Sequence, residues 1–312
     1  MKQVPCYRCV CPILLMMFAA TCARRSSDFD GTWIYRSNGQ NILKLTLTTE
    51  NGVVTGSVTK PKGLSIDEDG EVTRLGPDQA TLPVQKSKLE RNRLELTIDG
   101  DPFVMTLTDG NRATLAIPTI RPLDLERAPG DSSAVVLATS LPEPNYSQGI
   151  RALREQLRAM VTEDQDARMA FDSSRMDAID KKNRPTILEI FAKYGWVTRS
   201  LAGQDAAHDF WLLVQHQNRD LQHRLLPALE KAAKSVDASM RDYAYLYDRV
   251  QIGEGKPQRW GSQVKCENGK PVLSPVEDPA GLDARRKELY LPPIGEYLQI
   301  DYLVRSCKEQ KK

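Results

Sequence analysis

The stretch Leu43-Lys-Leu-Thr-Leu-Thr-Thr-Glu-Asn-Gly-Val-Val-Thr-Gly-Ser-Val58 decides the first half of the fold. Leu43, Leu45 and Leu47 alternate with Lys44, Thr46 and Thr48, and a period of two puts the leucines on one face of a strand. Asn51-Gly52 predicts a two-residue hairpin turn, because that turn needs positive φ at both central positions. Residues 53–58 then return as the partner strand. Outward from this hairpin, Asp69-Gly70, Asp99-Gly-Asp101 and Asp109-Gly110 punctuate further short strands over 93–98, 103–107 and 113–117. Many short strands joined by glycine turns, from Gly31 to about Arg127, indicate an antiparallel β-barrel or sandwich. The acidic run Asp67-Glu-Asp69 reads as a solvated turn.

Ala128-Pro-Gly-Asp-Ser-Ser133 and Leu141-Pro-Glu-Pro144 are rich in helix and strand breakers and mark a linker. From Tyr146 the period becomes helical: Ile150, Leu153, Leu157, Met160 and Val161 recur at i+3 and i+4 steps and define one apolar face. Pro185 suits the first turn of a helix over 186–194 that Gly195 would end. Further helices are expected over 206–217, 220–235, 239–250, 283–289 and 295–304. A hairpin over 266–273 carries the turn Asn268-Gly269. The class is therefore α+β, with a β-rich domain over 28–128, a linker over 129–146 and a mostly helical domain over 147–312.

A chain of 312 residues suits two such domains. Its start does not belong to either. Lys2 is followed by the apolar run of residues 9–20 and then Thr21-Cys22-Ala23, which fits a secretory leader over residues 1–23. The apolar run is too short to span a bilayer as a helix. Ala19-Ala-Thr-Cys22 resembles a bacterial lipobox, which would make Cys22 a lipidated first residue attached to a membrane; cleavage after Ala23 is the alternative. Either route implies export to the periplasm, the outer membrane or the medium. Lys2 and Arg8 account for the whole net charge of +2, so the body beyond the leader holds 41 basic against 41 acidic side chains. A neutral body has no overall field to gather polyanions, so nucleic acid is not expected as a partner. Of six cysteines only Cys266 and Cys307 lie beyond the leader, and in an oxidising compartment they are expected to pair.

Gly31-Thr-Trp33 resembles the Gly-x-Trp opening of lipocalin-like barrels, which implies a tryptophan plugging the closed end. The helical domain carries a longer series of motifs. These are Asp164-Gln165-x-x-Arg168, Asp180-x-x-Asn183, Tyr194-Gly-Trp196, Leu212-Leu-Val-Gln-His216, Tyr245-Leu-x-Asp248-Arg249-Val250, Gly255-Lys-Pro-Gln258-x-Trp-Gly-Ser-Gln263 and Glu277-Asp-Pro-x-x-Leu-Asp-x-Arg-Arg286. In this order they resemble a bacterial domain-of-unknown-function family, number 6624, over residues 164–298. Trp260 and Ser262 stand where that family more often has Tyr and Thr, and Tyr290 replaces a glycine. The resemblance implies a domain identity and no activity.

Gln215-His216 directly follows the apolar run Trp211-Leu-Leu-Val214, which draws both polar groups inward where they need partners. Asp248, Arg249, Gln258 and Gln263 are the candidate partners, with Trp260 beside the glutamines. A histidine with an acid and an arginine is a general-base site with a clamp for a carboxylate or phosphate: His216, Asp248 and Arg249 as catalytic groups, Gln215, Gln258, Gln263 and Trp260 as ligand contacts. The same residues also suit a buried network that locks helices together. His208, His216 and His223 are spaced too widely along a helix to ligate one ion, so no metal is expected, and no cofactor motif is present. Two functions follow. The first is a binding or scaffolding module that contacts a small molecule or an envelope protein. The second is a hydrolase or transferase working through His216.

Overall fold

The computed structural model describes residues 27–130, 135–142 and 144–309; the leader and Cys22 lie outside these. Ten strands fill the first half: β1 (Gly31–Ser37), β2 (Gln40–Glu50), β3 (Val53–Pro61), β4 (Ser65–Ile66), β5 (Val72–Arg74), β6 (Gln79–Glu90), β7 (Arg93–Ile98), β8 (Asp101–Leu107), β9 (Arg112–Ala116) and β10 (Leu123–Arg127). Eight of them close into an antiparallel barrel in the order β1-β10-β9-β8-β7-β6-β3-β2, so the barrel is formed and the sandwich is not. Closure pairs every strand on both sides and leaves no free edge. Leu43, Leu45 and Leu47 of β2 all point into the core, and Asn51 (φ 53°) and Gly52 (φ 81°) make the β2–β3 turn. Gly56 is required by space: a Cβ there would sit 2.0 Å from the Thr46 carbonyl oxygen on β2.

One end of the barrel is plugged. Trp33 is fully buried, donates from Nε1 to the Phe29 carbonyl (2.9 Å) and lies beneath the Arg127 guanidinium, 4.1 Å from its ring centre. Arg127 also donates to the carbonyls of Asp28 and Gly110, which ties the chain ends to the β8–β9 turn. The opposite end holds an apolar cavity of about 360 Å³, lined by Leu43, Val58, Phe103, Ile120 and neighbours. The hairpin β4–β5, an excursion between β3 and β6, contributes Leu64 and Ile66 to that cavity.

The helical domain contains α1 (Gln148–Met169), α2 (Ser173–Tyr194), α3 (Arg199–Ala202), α4 (Gln204–Gln215), α5 (Arg219–Lys234), α6 (Met240–Gly253), α7 (Leu282–Glu288), α8 (Ile294–Tyr297) and α9 (Asp301–Glu309). Between α6 and α7 runs the hairpin of β11 (Val264–Glu267) and β12 (Lys270–Leu273). α2 begins twelve residues before Pro185, which is an interior residue and not a first-turn proline. Asp172 caps the helix through the Arg175 N–H, and Ile179, Ile187 and Ile190 form a buried stripe that outweighs the missing proline donor. The single helix expected over 295–304 is two helices, broken between Tyr297 and Asp301. Cys266 on β11 is disulfide-bonded to Cys307 on α9, with Cα atoms 5.2 Å apart.

The acidic run at the tip of β4–β5 is an interdomain contact and not a solvated turn. Glu68 accepts from the Ser239 hydroxyl at the start of α6 and faces Arg241 at 3.9 Å; Asp69 pairs with Arg199 of α3. Arg241 also donates to the Thr119 carbonyl (2.7 Å) in the β9–β10 turn. Within the linker, the Ala138 N–H donates to the Asn41 carbonyl of the barrel (2.8 Å) and Leu137 is buried.

Beside this contact, His208 Nδ1 meets Asp242 Oδ2 at 3.2 Å. Burial works against its proton, but the Asp242 carboxylate, then Glu68 and Asp209, prevail and push its pKa up to about 9. A group raised in the folded state contributes stability that is complete below its unfolded pKa of about 6.5 and fades as pH rises toward about 9. The side chain is 48% exposed, so solvent screens this contribution. Urea midpoints measured from pH 6.5 to 9 are expected to fall in the parent and to fall less in His208→Gln. Equal slopes would show that the pair does not couple to folding.

Candidate functional site

His216 is the C-terminal cap of α4, where the helix ends at the turn into α5. Gln222 on α5 fixes that turn by donating from Nε2 to the carbonyls of Gln215 and Gln217, both at 2.7 Å. The imidazole thus stands on a braced corner between two helices. Its carboxylate partner is Asp164 of α1 and not Asp248: Nδ1 meets Asp164 Oδ2 at 2.9 Å. Asp164 is held in turn. Gln165 Nε2 donates to Oδ2 (2.8 Å), and Arg168, one turn along α1, donates from Nε to both oxygens at 3.1 Å. Arg168 extends to Asp180 of α2 through Nη2 (2.7 Å). Three helices therefore meet in one chain of charge-assisted bonds, from Asp180 through Arg168 and Asp164 to His216.

The electrostatics set the proton positions. Burial opposes ionisation of Asp164, but the hydrogen bonds from His216 and Arg168 overcome it and hold the carboxyl down at about 2. His216 is pushed below the ordinary histidine value by burial, reinforced by the charges of Arg168 and Arg249 against the pull of Asp164. At neutral pH the arrangement is an ionised Asp164 accepting from a neutral imidazole at Nδ1. Nε2 has no hydrogen-bond partner among the described residues, and the side chain keeps 12% of its surface exposed.

Arg249 comes from α6 and brings a charge that bears on both His216 and Arg168. Its Nε is buried without an acceptor, and no described side chain or carbonyl accepts from the guanidinium. Three further buried polar atoms on the same segments are unsatisfied: Asn183 Nδ2 on α2, Gln215 Oε1 and Gln217 Nε2. Orphans are rare in folded interiors, and these four lie on the helices and the helix turn that also carry the chain from Asp180 to His216.

The structure places the other expected residues elsewhere. Asp248 is fully buried and accepts from the backbone N–H groups of Arg259 (2.8 Å), Trp260 (3.1 Å) and Ser262 (3.0 Å). Gln258 holds the same loop closed, donating to the carbonyls of Gln263 (2.8 Å) and Ser274 (3.1 Å) and accepting from Gln263 N–H (2.8 Å). Gln263 donates on to the Ser262 hydroxyl (3.0 Å), and Trp260 packs edge-on against Tyr243 and Tyr247. Asp248, Gln258, Gln263 and Trp260 therefore shape the 258–263 loop, with Arg286 beneath it donating to the Trp260 and Gly261 carbonyls. Adjacency of Asp248 and Arg249 explains the division: on a helix they point about 100° apart, one to the loop and the other toward His216.

The three histidines face three different acids: Asp242, Asp164 and, for His223, Glu254. Among the described residues no cluster of His, Cys, Asp or Glu is arranged to hold a metal ion, and no helix is long and apolar enough to cross a membrane.

Comparison with known proteins agrees with the motif order. A family model described as a family of unknown function, DUF6624, matches residues 145–306, a longer span than the motifs alone mark out. No curated protein and no solved structure matches the chain.

Proposed function

From a chain that belongs to the DUF6624 family of unknown function, and so inherits a domain without a chemistry, we propose that the protein is a ligand-binding module whose site is the His216 corner of the helical domain. The observation that carries this reading is Arg249, a guanidinium with a buried, partnerless Nε whose charge bears on an imidazole that has an unpartnered Nε2. A buried charge without a partner costs folding free energy, and proteins keep such groups chiefly where a ligand meets them. The test follows from that cost. Arg249→Met keeps length and apolar volume while removing the charge, and its urea midpoint is expected to rise, by on the order of 1 kcal/mol in stability. A fall of that size would make Arg249 a structural brace and end the proposal.

A second reading rests on the Asp164–His216 pair. A neutral imidazole oriented at Nδ1 by an ionised carboxylate, with Nε2 unpartnered, is equipped to take a proton from a hydroxyl or a water, which is the general-base step of a hydrolase or transferase. Neither reading has a cavity of the described residues to point to: those lined by Arg154 and Asp205, by Arg112 and Arg127, by Lys270 and Val304, by Leu43 and Phe103, and by Lys86 and Thr97 do not include His216 or Arg249. Any exported address, including a lipid on Cys22 and contact with an envelope partner, remains part of the proposal on sequence grounds alone.

A further inference from the structure

The cavity of about 360 Å³ at the end of the barrel opposite Trp33 is walled mainly by aliphatic side chains, and its volume falls in the range of about 300–1,000 Å³ typical of small-molecule sites. Such a chamber gives water few partners and an aliphatic molecule many contacts. Its rim is charged. Lys60, two residues past Val58 on β3, and Asp101, two residues before Phe103 on β8, share the inward phase of those neighbours, and Asp99 stands in the turn beside Asp101. None of the three is ion-paired with another described residue. One lysine against two aspartates leaves the rim net negative, which favours a cation there over an anion.

Two segments outside the eight barrel strands complete the wall: Leu64, Ser65 and Ile66 of the β4–β5 excursion, and Ile117 and Ile120 of the β9–β10 turn. They are joined to each other, since the Arg121 N–H donates to the Glu68 carbonyl (2.8 Å). The helical domain grips both. Ser239 donates to Glu68 and Arg199 pairs with Asp69 on the first segment, and Arg241 donates to the Thr119 carbonyl (2.7 Å) on the second. In each segment the gripped residue therefore lies within three positions of a residue that faces the cavity. The closed position also carries a cost: Asp67 Oδ2, at the same tip, is buried without a hydrogen-bond partner, and lifting the tip would return it to water.

We infer that the barrel is a ligand chamber whose cover is held by the helical domain: an aliphatic small molecule ending in one positive charge fills the cavity, and Ser239, Arg199 and Arg241 keep the 64–69 and 117–121 segments over it. This site is separate from the His216 corner and stands or falls without it. Because the cover contacts both the occupant and the helical domain, binding in the barrel and the interdomain contact strengthen each other.

The test titrates the whole two-domain protein with octylammonium chloride, hexylammonium chloride, octanol and sodium octanoate, following the methyl NMR signals of the cavity's leucines and isoleucines. Octylammonium is expected to shift them saturably. It should bind about threefold more tightly than octanol, the worth of an exposed charge pair, and more tightly still than octanoate. Hexylammonium, two methylenes shorter, should bind about tenfold more weakly. Ile66→Trp, which fills the cavity from its cover, is expected to abolish the response. Arg199→Gln/Arg241→Gln is expected to release octylammonium about tenfold faster and to weaken its binding by the same factor. Glu68→Ala/Asp69→Ala breaks the contact from the barrel side and should do the same, so that one pair decides if the other fails to fold. In the parent, octylammonium should also slow amide hydrogen exchange in the first turn of α6, and in neither paired variant. No saturable shift in the parent, or an equal one in Ile66→Trp, overturns the site. Octanoate binding as tightly as octylammonium overturns the cationic class. Unchanged release and affinity in a folded paired variant overturn the hold of the helical domain on the cover.

Discussion

Asp248→Ala is expected to lower stability by about 3–5 kcal/mol in urea denaturation. The carboxylate is fully buried and no basic side chain is hydrogen-bonded to it; three backbone N–H groups, of Arg259, Trp260 and Ser262, take its two oxygens. Each of those donors sits in a loop that the substitution would leave buried and unpaired, at about 1–3 kcal/mol apiece. Burial works in the opposite direction, pushing the Asp248 pKa up despite the three donors, and that offset keeps the net loss below the full sum. Asp248→Asn recovers only part, because its amide NH2 must face an N–H. A loss below about 1 kcal/mol in Asp248→Ala would show that the 258–263 loop holds its shape through Gln258 and Arg286 without the carboxylate.

Reduction of Cys266–Cys307 comes next in size. The bond closes a separation of 41 residues, which the chain-entropy argument values at about 4 kcal/mol through restriction of the unfolded chain. It also ties the last helix to the β11–β12 hairpin. The Cys266→Ser/Cys307→Ser variant and the reduced parent are both expected to lose that much stability in urea denaturation, and the same amount as each other. A double variant as stable as the oxidised parent would mean that native packing of α9 already supplies the restraint.

Much of the barrel was legible because its signals are local. The alternation at Leu43, Leu45 and Leu47 and the turn at Asn51-Gly52 each declare themselves within a few residues. β6 did not, since its twelve residues carry few apolar side chains; it is held by pairing with β3 and β7, which no single window of sequence displays. In the helical domain His216 was legible from the apolar run before it, but its partner was sought in the wrong helix. Asp164 lies 52 residues away in an acidic stretch that looks like a solvated face. A signal was nevertheless present. Asp164 falls seven residues after Leu157, so it lies on the buried stripe of α1 formed by Leu153, Leu157 and Ala167. Asn183 interrupts the stripe of Ile179, Ile187 and Ile190 on α2 in the same way. An acid and an amide in phase with isoleucines and leucines mark a polar locus that helical periodicity can find without knowing which helices meet. The role of Glu68 and Asp69 had no comparable signal, since the complementary Arg199, Ser239 and Arg241 lie about 130 to 170 residues later.

The contact at the tip of β4–β5 bears on how such a chain is inherited. The family match covers residues 145–306. Physically that unit is incomplete in this chain. Cut at those bounds, it would uncover Ser239, Arg199 and Arg241, whose acceptors Glu68, Asp69 and the Thr119 carbonyl belong to the barrel. It would also stop one residue before Cys307 and leave Cys266 an odd thiol, open to pairing between molecules. The matched segment and the set of residues that hold one another in place thus have different edges, and recombinant dissection of this protein has to respect the second.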